Sequence, residues 1–392
     1  MQLKLVVIGV LVCCYLAILY SPIHAAEQDS IPTIAISKTN SNYLDFVIVK
    51  NKVVAINSDH QLVVWDLNQL DTVYLTNQIR SLQCTAICKS KQNDVYIATT
   101  NGGVFKIDPS TLNCELVLNC QSPITAICIN SRNKIFLVTK GGVYNPLSGK
   151  KWTKFRNHTK GIIYHKSILG IYTKRSDCYF SKPQFTYLDS QDRWWLCSSY
   201  GEFGGDIEIF DTRHQRIYNN KFDSLSAGAY NPKSIFEDDK GTIYLTSGLQ
   251  HMHSSGQIYR IATKNKATKI FSSRDFKDTS VDVRMMPIGI IEIIANLDQE
   301  LFVGPGTYNS KDSSIYFATD AGFYKAHLPI TGKIKTIIPL FEPELNCCCE
   351  PLAVGKSMAV LKVEWNANQT LFFLTALNGI GFYDGKKITF LK

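Results

Sequence analysis

The chain repeats itself. Thr85-Ala86-Ile87-Cys88 opens a stretch that passes through a polar turn, an apolar-aromatic run, Gly102-Gly103 and a second apolar run. Thr125-Ala126-Ile127-Cys128 opens the same succession again, through to Gly141-Gly142. With other letters the pattern returns five more times: residues 52–57 lead to 61–66, 193–198 to 205–211, 242–247 to 256–260, 314–319 to 322–325, and 370–375 to 381–384. Each copy holds runs of β-branched and aromatic residues bounded by Gly, Asn and Asp, the pattern of short strands. No window sustains an apolar period of 3.6, so helices should be few. Trp194-Trp195-Leu196 is apolar on successive residues, as in a strand covered on both faces.

Multi-stranded repeats of this length point to a β-propeller. One small sheet cannot bury both its faces, whereas sheets stacked around an axis bury both and leave only short outer edges. The expected fold is therefore all-β, a seven-bladed β-propeller of four-stranded antiparallel blades. Eight blades is the alternative, because the copies are unevenly spaced and Leu301-Phe302-Val303-Gly304 also reads as a second strand. The early segment Thr33-Ile34-Ala35-Ile36 is expected to pair into the blade that holds Ile388-Thr389-Phe390-Leu391, clasping the ring.

The chain is 45% hydrophobic and 11% aromatic, enough for a large core. Its start reads as a secretory signal: Lys4, an apolar stretch from Leu5 to Tyr20, then Ser21-Pro22 and small residues ending in Ala25-Ala26. The stretch is shorter than the ~20 residues that span a bilayer. Residues 1–25 are read as the cleaved signal and 26–392 as one propeller domain, secreted or periplasmic, with no membrane span once the signal is removed. In an oxidising compartment disulfides are permitted. Cys114 and Cys120 flank one strand and are the nearest local pair. Cys88 and Cys128 hold the repeat position occupied elsewhere by Tyr187 and Phe236, and read as small buried hydrophobes. The run Cys347-Cys348-Cys349 suits a bridge to a distant partner or a soft metal. The net charge of +9 is spread out, densest over Lys150 to Arg156, and an exported chain of this kind is not expected to bind nucleic acid. Asn157-His158-Thr159 and Asn368-Gln369-Thr370 fit the glycosylation sequon.

The cadence of Asp238-Asp239-Lys240-Gly241-Thr242-Ile243-Tyr244, followed by Gly256-Gln257-Ile258-Tyr259, resembles the propeller repeats of periplasmic two-component regulators, and is similar to repeats of the streptogramin B lyase group. The resemblance spans most of residues 45–390 and implies the fold and an exported setting.

Propellers place chemistry on loops around the channel mouth. Three successive copies have long segments after the strand taken as second: 199–206, 248–255 and 304–312. The expected ligand-binding residues on them are Tyr200, Glu202, Asp206, His251, His253, Tyr308 and Asp312. No cofactor is expected. The one place suited to a divalent metal is His251-Met252-His253, whose imidazoles point the same way on an extended segment, with Glu202 and Asp206 available to complete it. There is no G-x-S-x-G elbow and no phosphate-binding loop. Asp238-Asp239 lies in a repeat turn, where Asp bonds its own backbone. The reading is a non-catalytic recognition module, a monomer, binding a protein, a glycan or a small molecule. The alternative is a lyase or hydrolase with a metal-assisted site on the loops of blades four to six.

Overall fold

The computed structural model describes residues 33–34, 42–73, 75–153, 158–166, 172–180, 182–201, 204–218, 231–250, 254–262, 266–278, 301–343, 345 and 360–391. Seven antiparallel sheets follow one another along the chain, each an up-and-down meander, and close into a seven-bladed β-propeller. Blade 1 covers residues 43–72, blade 2 84–119, blade 3 124–152, blade 4 185–218, blade 5 232–272, blade 6 303–343 and blade 7 360–390. Between blades 3 and 4 a separate hairpin pairs His158–Lys166 with Tyr172–Phe180. The helices among the described residues are short, Asn77–Arg80 and Ser273–Asp278.

The second strand of each blade shows why the ring forms. Lys52–Asn57, Val95–Thr99, Ile135–Thr139, Arg193–Ser199, Ile243–Gln250, Ser314–Thr319 and Leu371–Thr375 carry apolar side chains on both faces. Successive residues point to opposite faces of a strand. In blade 1, Val54 and Ile56 accordingly pack against blade 2, while Val53 and Ala55 pack against blade 7. In blade 4, Trp194 joins the cluster shared with blade 3 and Trp195 the cluster shared with blade 5; they are 0% and 1% exposed. Among the described residues the core divides into seven clusters, one for each junction between neighbouring blades.

The lower face carries the turns from first to second strand, and these explain the polar punctuation of the repeat. Asn130 Oδ1 accepts the backbone N–H of Arg132 and Lys134, Asp189 Oδ1 that of Gln191 and Arg193, and Asp238 Oδ1 that of Lys240 and Thr242. Ser90 does the same with its hydroxyl. Each of these turns needs a residue with positive φ three positions on, met by Asn93, Asn133, Asp192 and Gly241. Asn, Asp and Gly tolerate that conformation best. Neighbouring turns are also laced together. Asp192 accepts the backbone N–H and hydroxyl of Ser131, and Glu237 those of Ser190.

Three expectations are corrected. Thr33–Ile34 does not join the C-terminal strand; it runs parallel to Ile338–Pro343 at the outer edge of blade 6. Blade 7 is already complete from its own four strands, ending with Ile388–Phe390 on Ile380–Tyr383, while the edge of blade 6 stood open. The described residues therefore exchange no strand across the junction of blades 7 and 1. Its side-chain closure is apolar, through Phe46, Trp65, Phe372 and Leu374, and ionic, through Lys362. Second, Cys114 and Cys120 are both free. They bracket a single extended strand, where six residues span ~20 Å, far beyond disulfide reach. Third, 304–312 is not a loop after a second strand. Val303–Asn309 is the innermost strand of blade 6, paired with Ser314–Thr319, and residues 310–312 form its lower turn. The run Cys347-Cys348-Cys349 and the N-terminal apolar stretch lie outside the described residues.

Candidate functional site

In each meander the first and third strands run downward, and the second and fourth upward. The upper face therefore receives the loops from second to third strand and every crossing from one blade to the next. Those crossings are unequal. Blades 2 and 3 are joined by residues 120–123 alone, whereas 153–184, 219–231, 273–302 and 344–359 link the blades from 3 to 7. The lower face has only tight turns at its inner rim. The upper mouth is where this chain departs from its own repeat.

The innermost strands share a second feature there. In blades 1, 2, 3, 5, 6 and 7 the register with the second strand slips near the upper end of the innermost strand. Such bulges re-aim side chains and gather at the rims of closed sheets. The extra residues are Leu44, Thr85, Thr125, Lys233, Gly304-Pro305 and Leu361. Thr85 and Thr125 turn their hydroxyls back onto the carbonyls of Ile124 and Val138. Leu361 and Leu44, on adjacent blades, are 45% and 41% exposed.

Lys233 is different again. Its Nζ lies 3.5 Å from Ser199 Oγ and 5.5 Å from the centre of the Phe302 ring. Ser199 in turn donates to Asn231 Oδ1, and the Asn231 N–H is held by Ser247. Burial pushes the Lys233 ammonium below the usual lysine range. Around it the carboxyls are also out of their ordinary range. Asp320 is pushed up by burial, while the Phe302 N–H and the Ser254 hydroxyl oppose the shift. Asp206, opposite Ser198 in blade 4, is pushed up by burial and partly restored by the Tyr200 hydroxyl. Groups shifted by desolvation in a cleft are one signature of a candidate functional site.

Below this mouth the innermost strands of blades 7, 1 and 2 carry an ionic chain. Lys362 Nζ donates to Asp45 Oδ1 at 2.9 Å and lies 3.6 Å from Glu364, which lies 3.5 Å from Lys89. Lys89 also donates to the Ile48 carbonyl.

Of the residues expected from sequence, Tyr200 and Asp206 sit together on the upper face of blade 4. Tyr308 and Asp312 do not join them. Tyr308 donates to Asp239 Oδ2 on the lower face, and Asp312 accepts from Tyr316 and Lys325 in the lower turn of blade 6. Glu202, His251 and His253 lie outside the described residues, and with them the place read as suited to a divalent metal. Of the basic stretch, Lys150–Trp152 forms the outer strand of blade 3, with the Lys150 ammonium 5.2 Å from the Trp152 ring. Lys233, Leu44 and Leu361 were not anticipated. Their shared signal is position, each standing just inside the start of an innermost strand, but a bulge is a backbone event that spacing alone does not show.

No family model matches the chain, and no curated protein resembles it in sequence. Solved structures do. The chain is similar to hydrazine synthase of Kuenenia stuttgartiensis, at 10% identity and a TM-score of 0.53 over 88% of this chain and 97% of that one. It is similar to YCF48 bound to D1 peptide, at 10% identity and 0.51 over 90% and 98%. Streptogramin B lyase aligns at 11% identity and 0.49 over 90% and 96%. The extracellular domain of a hybrid two-component system of B. thetaiotaomicron aligns at 13% and 0.49 over 92% of this chain and 43% of that one. At these identities what is shared is the propeller ring.

Proposed function

We propose that the chain is a non-catalytic recognition module that binds its partner at the upper mouth of the channel. One observation carries this reading: the two faces of the ring are built to different rules. The lower face repeats one self-bonded turn through blades 2 to 5, and the turns of blades 3, 4 and 5 are laced together. The upper face holds the long crossings, the six bulges, the exposed Leu44, Leu361 and Tyr200, and the desolvated Lys233 and Asp206. Variable connections on a rigid ring are how propellers acquire binding surfaces. One neighbour, YCF48, is a propeller with a bound peptide, which agrees with a binding role; the N-terminal apolar stretch agrees with export. No helix among the described residues is long and apolar enough to cross a membrane.

Native mass spectrometry of the purified protein, with elemental analysis of the same sample, tests the non-catalytic part. A bare, metal-free mass is the expected result. A stoichiometric divalent metal would overturn it and move the site to His251, His253, Glu202 and Asp206 as a metal-assisted lyase or hydrolase.

A further inference from the structure

The innermost strands contain three lysines: Lys89, Lys233 and Lys362. Two of them hold a carboxylate, Lys89 that of Glu364 and Lys362 that of Asp45. Around Lys233, no carboxylate among the described residues lies within ion-pair distance. Its neighbours are a hydroxyl that already donates elsewhere and the face of an aromatic ring. The nearby acids are engaged in other ways, Asp320 with the Phe302 N–H and Asp206 with Tyr200. An ammonium held partly out of water over a ring face, with no counter-charge among the described residues, is an unfavourable arrangement for folding alone. It becomes favourable when an anion arrives, because most of the desolvation has already occurred.

The same rim supplies a second kind of contact. Leu361 and Leu44 stand at the bulge position equivalent to that of Lys233, on adjacent blades 7 and 1, and both are exposed. One rim thus presents on one side a cation with no acidic partner among the described residues, and on another two adjacent leucines. The protein as a whole carries a net charge of +9, which draws acidic partners toward it. Resting on the recognition reading above, we propose that the upper mouth binds an acidic, apolar peptide segment of a partner protein, with Lys233 taking a peptide carboxylate and Leu361 and Leu44 taking its apolar side chains. The carboxylate is supplied by an aspartate or glutamate side chain or by a free C-terminus.

The test pans the full-length protein against a random peptide library displayed with free C-termini, then measures synthetic copies of the enriched peptides by fluorescence polarisation. The expected peptides combine acidic and leucine-like residues. Lys233→Met should weaken their binding at least tenfold, Lys233→Arg should retain part of it, and Leu361→Ser should weaken it several-fold. Replacing the peptide's acids by amides, or amidating its C-terminus, tells which carboxylate source Lys233 reads. The near-ultraviolet spectrum and Tm of each variant confirm that the ring is intact. Enriched peptides that bind wild type and Lys233→Met equally overturn the assignment of Lys233 while leaving recognition standing. A library that yields no binder overturns recognition at this mouth, and the inference with it.

Discussion

Lys362→Met tests the seam where the ring closes. The ammonium crosses the junction of blades 7 and 1, 2.9 Å from Asp45 Oδ1 and 2.5 Å from the Phe46 carbonyl. Methionine keeps an unbranched stem against the Phe46 ring and removes only the charge, which sits 4.8 Å from the ring centre. A hydrogen bond to a charged group contributes ~1.5–3 kcal/mol when water is excluded. The two side chains are 33% and 41% exposed, and solvent screening reduces the contribution to ~1–2 kcal/mol. At about 2.1 cal/mol/K of unfolding entropy per residue, a ring of this length melts with ~0.7 kcal/mol/K, so Tm should fall by ~1–3 °C. A double-mutant cycle with Asp45→Asn should return a coupling of ~1 kcal/mol. Hydrogen exchange should quicken in Tyr43–Val49 and Val360–Trp365 and stay unchanged in Ile124–Ile129. Burial alone would lower the Lys362 pKa, but Asp45 and Glu364 more than offset it and hold it above the usual range. The ionic contribution is therefore fully present below the unfolded lysine value of about 10.4 and is lost as pH rises through the raised one. A coupling near zero, or exchange that quickens evenly around the ring, would refute the reasoning.

Other predictions follow from the turns, the acids and the thiols. Asn130→Ala and Asp238→Ala each strip an acceptor from two backbone N–H groups and should cost ~1–2 kcal/mol in urea unfolding, whereas alanine at the outward-facing Lys240 should be neutral. Burial would raise the Asp192 carboxyl, but Ser131 and Arg213 hold it below the ordinary value; its contribution is present above about pH 4 and lost as pH falls through the depressed value. Asp192→Asn should accordingly flatten the acid limb of the stability profile. Burial pushes the Cys84 thiol up to about 12, so it should resist alkylation at pH 8 until the ring unfolds. Lys233→Met should raise Tm slightly, because burial depresses the ammonium's pKa and the charge is held at a cost when no ligand is present.

Much of the architecture was legible because it is written in side-chain alternation. The seven second strands could be placed from their double-faced apolar runs, since only a sheet stacked on both sides tolerates Trp194 beside Trp195. The equivalence of Cys88, Cys128, Tyr187 and Phe236 was legible too, and the pairing to the second strands confirms it. Blade 6 was misread because its innermost strand contains Gly304, Pro305 and Gly306, residues that weaken or exclude a strand by local propensity. Here they fit where the chain bulges and presses close to its neighbours: a side chain at Gly306 would meet Phe317 and Tyr316 at 3.1 Å. That misreading carried Tyr308 and Asp312 to the wrong face. The clasp was misplaced because a two-residue pairing depends on which sheet edge lies open, which no single segment encodes. Lys233 escaped notice because its significance is relational: Lys89 and Lys362 each hold a carboxylate, and among the described residues Lys233 holds none.

The unlatched seam has a mechanical meaning. Every other junction is bridged by continuous chain, so separating those blades must first pay out the intervening loop. At the seam, among the described residues, the two flanking blades meet through side chains alone. Pulled from residues 43 and 390, the ring should behave as a bracelet with a snap rather than a welded hoop. It should yield first by shearing Phe46, Phe372 and Lys362 past one another. The six remaining junctions would then peel in turn, each releasing its own length of chain.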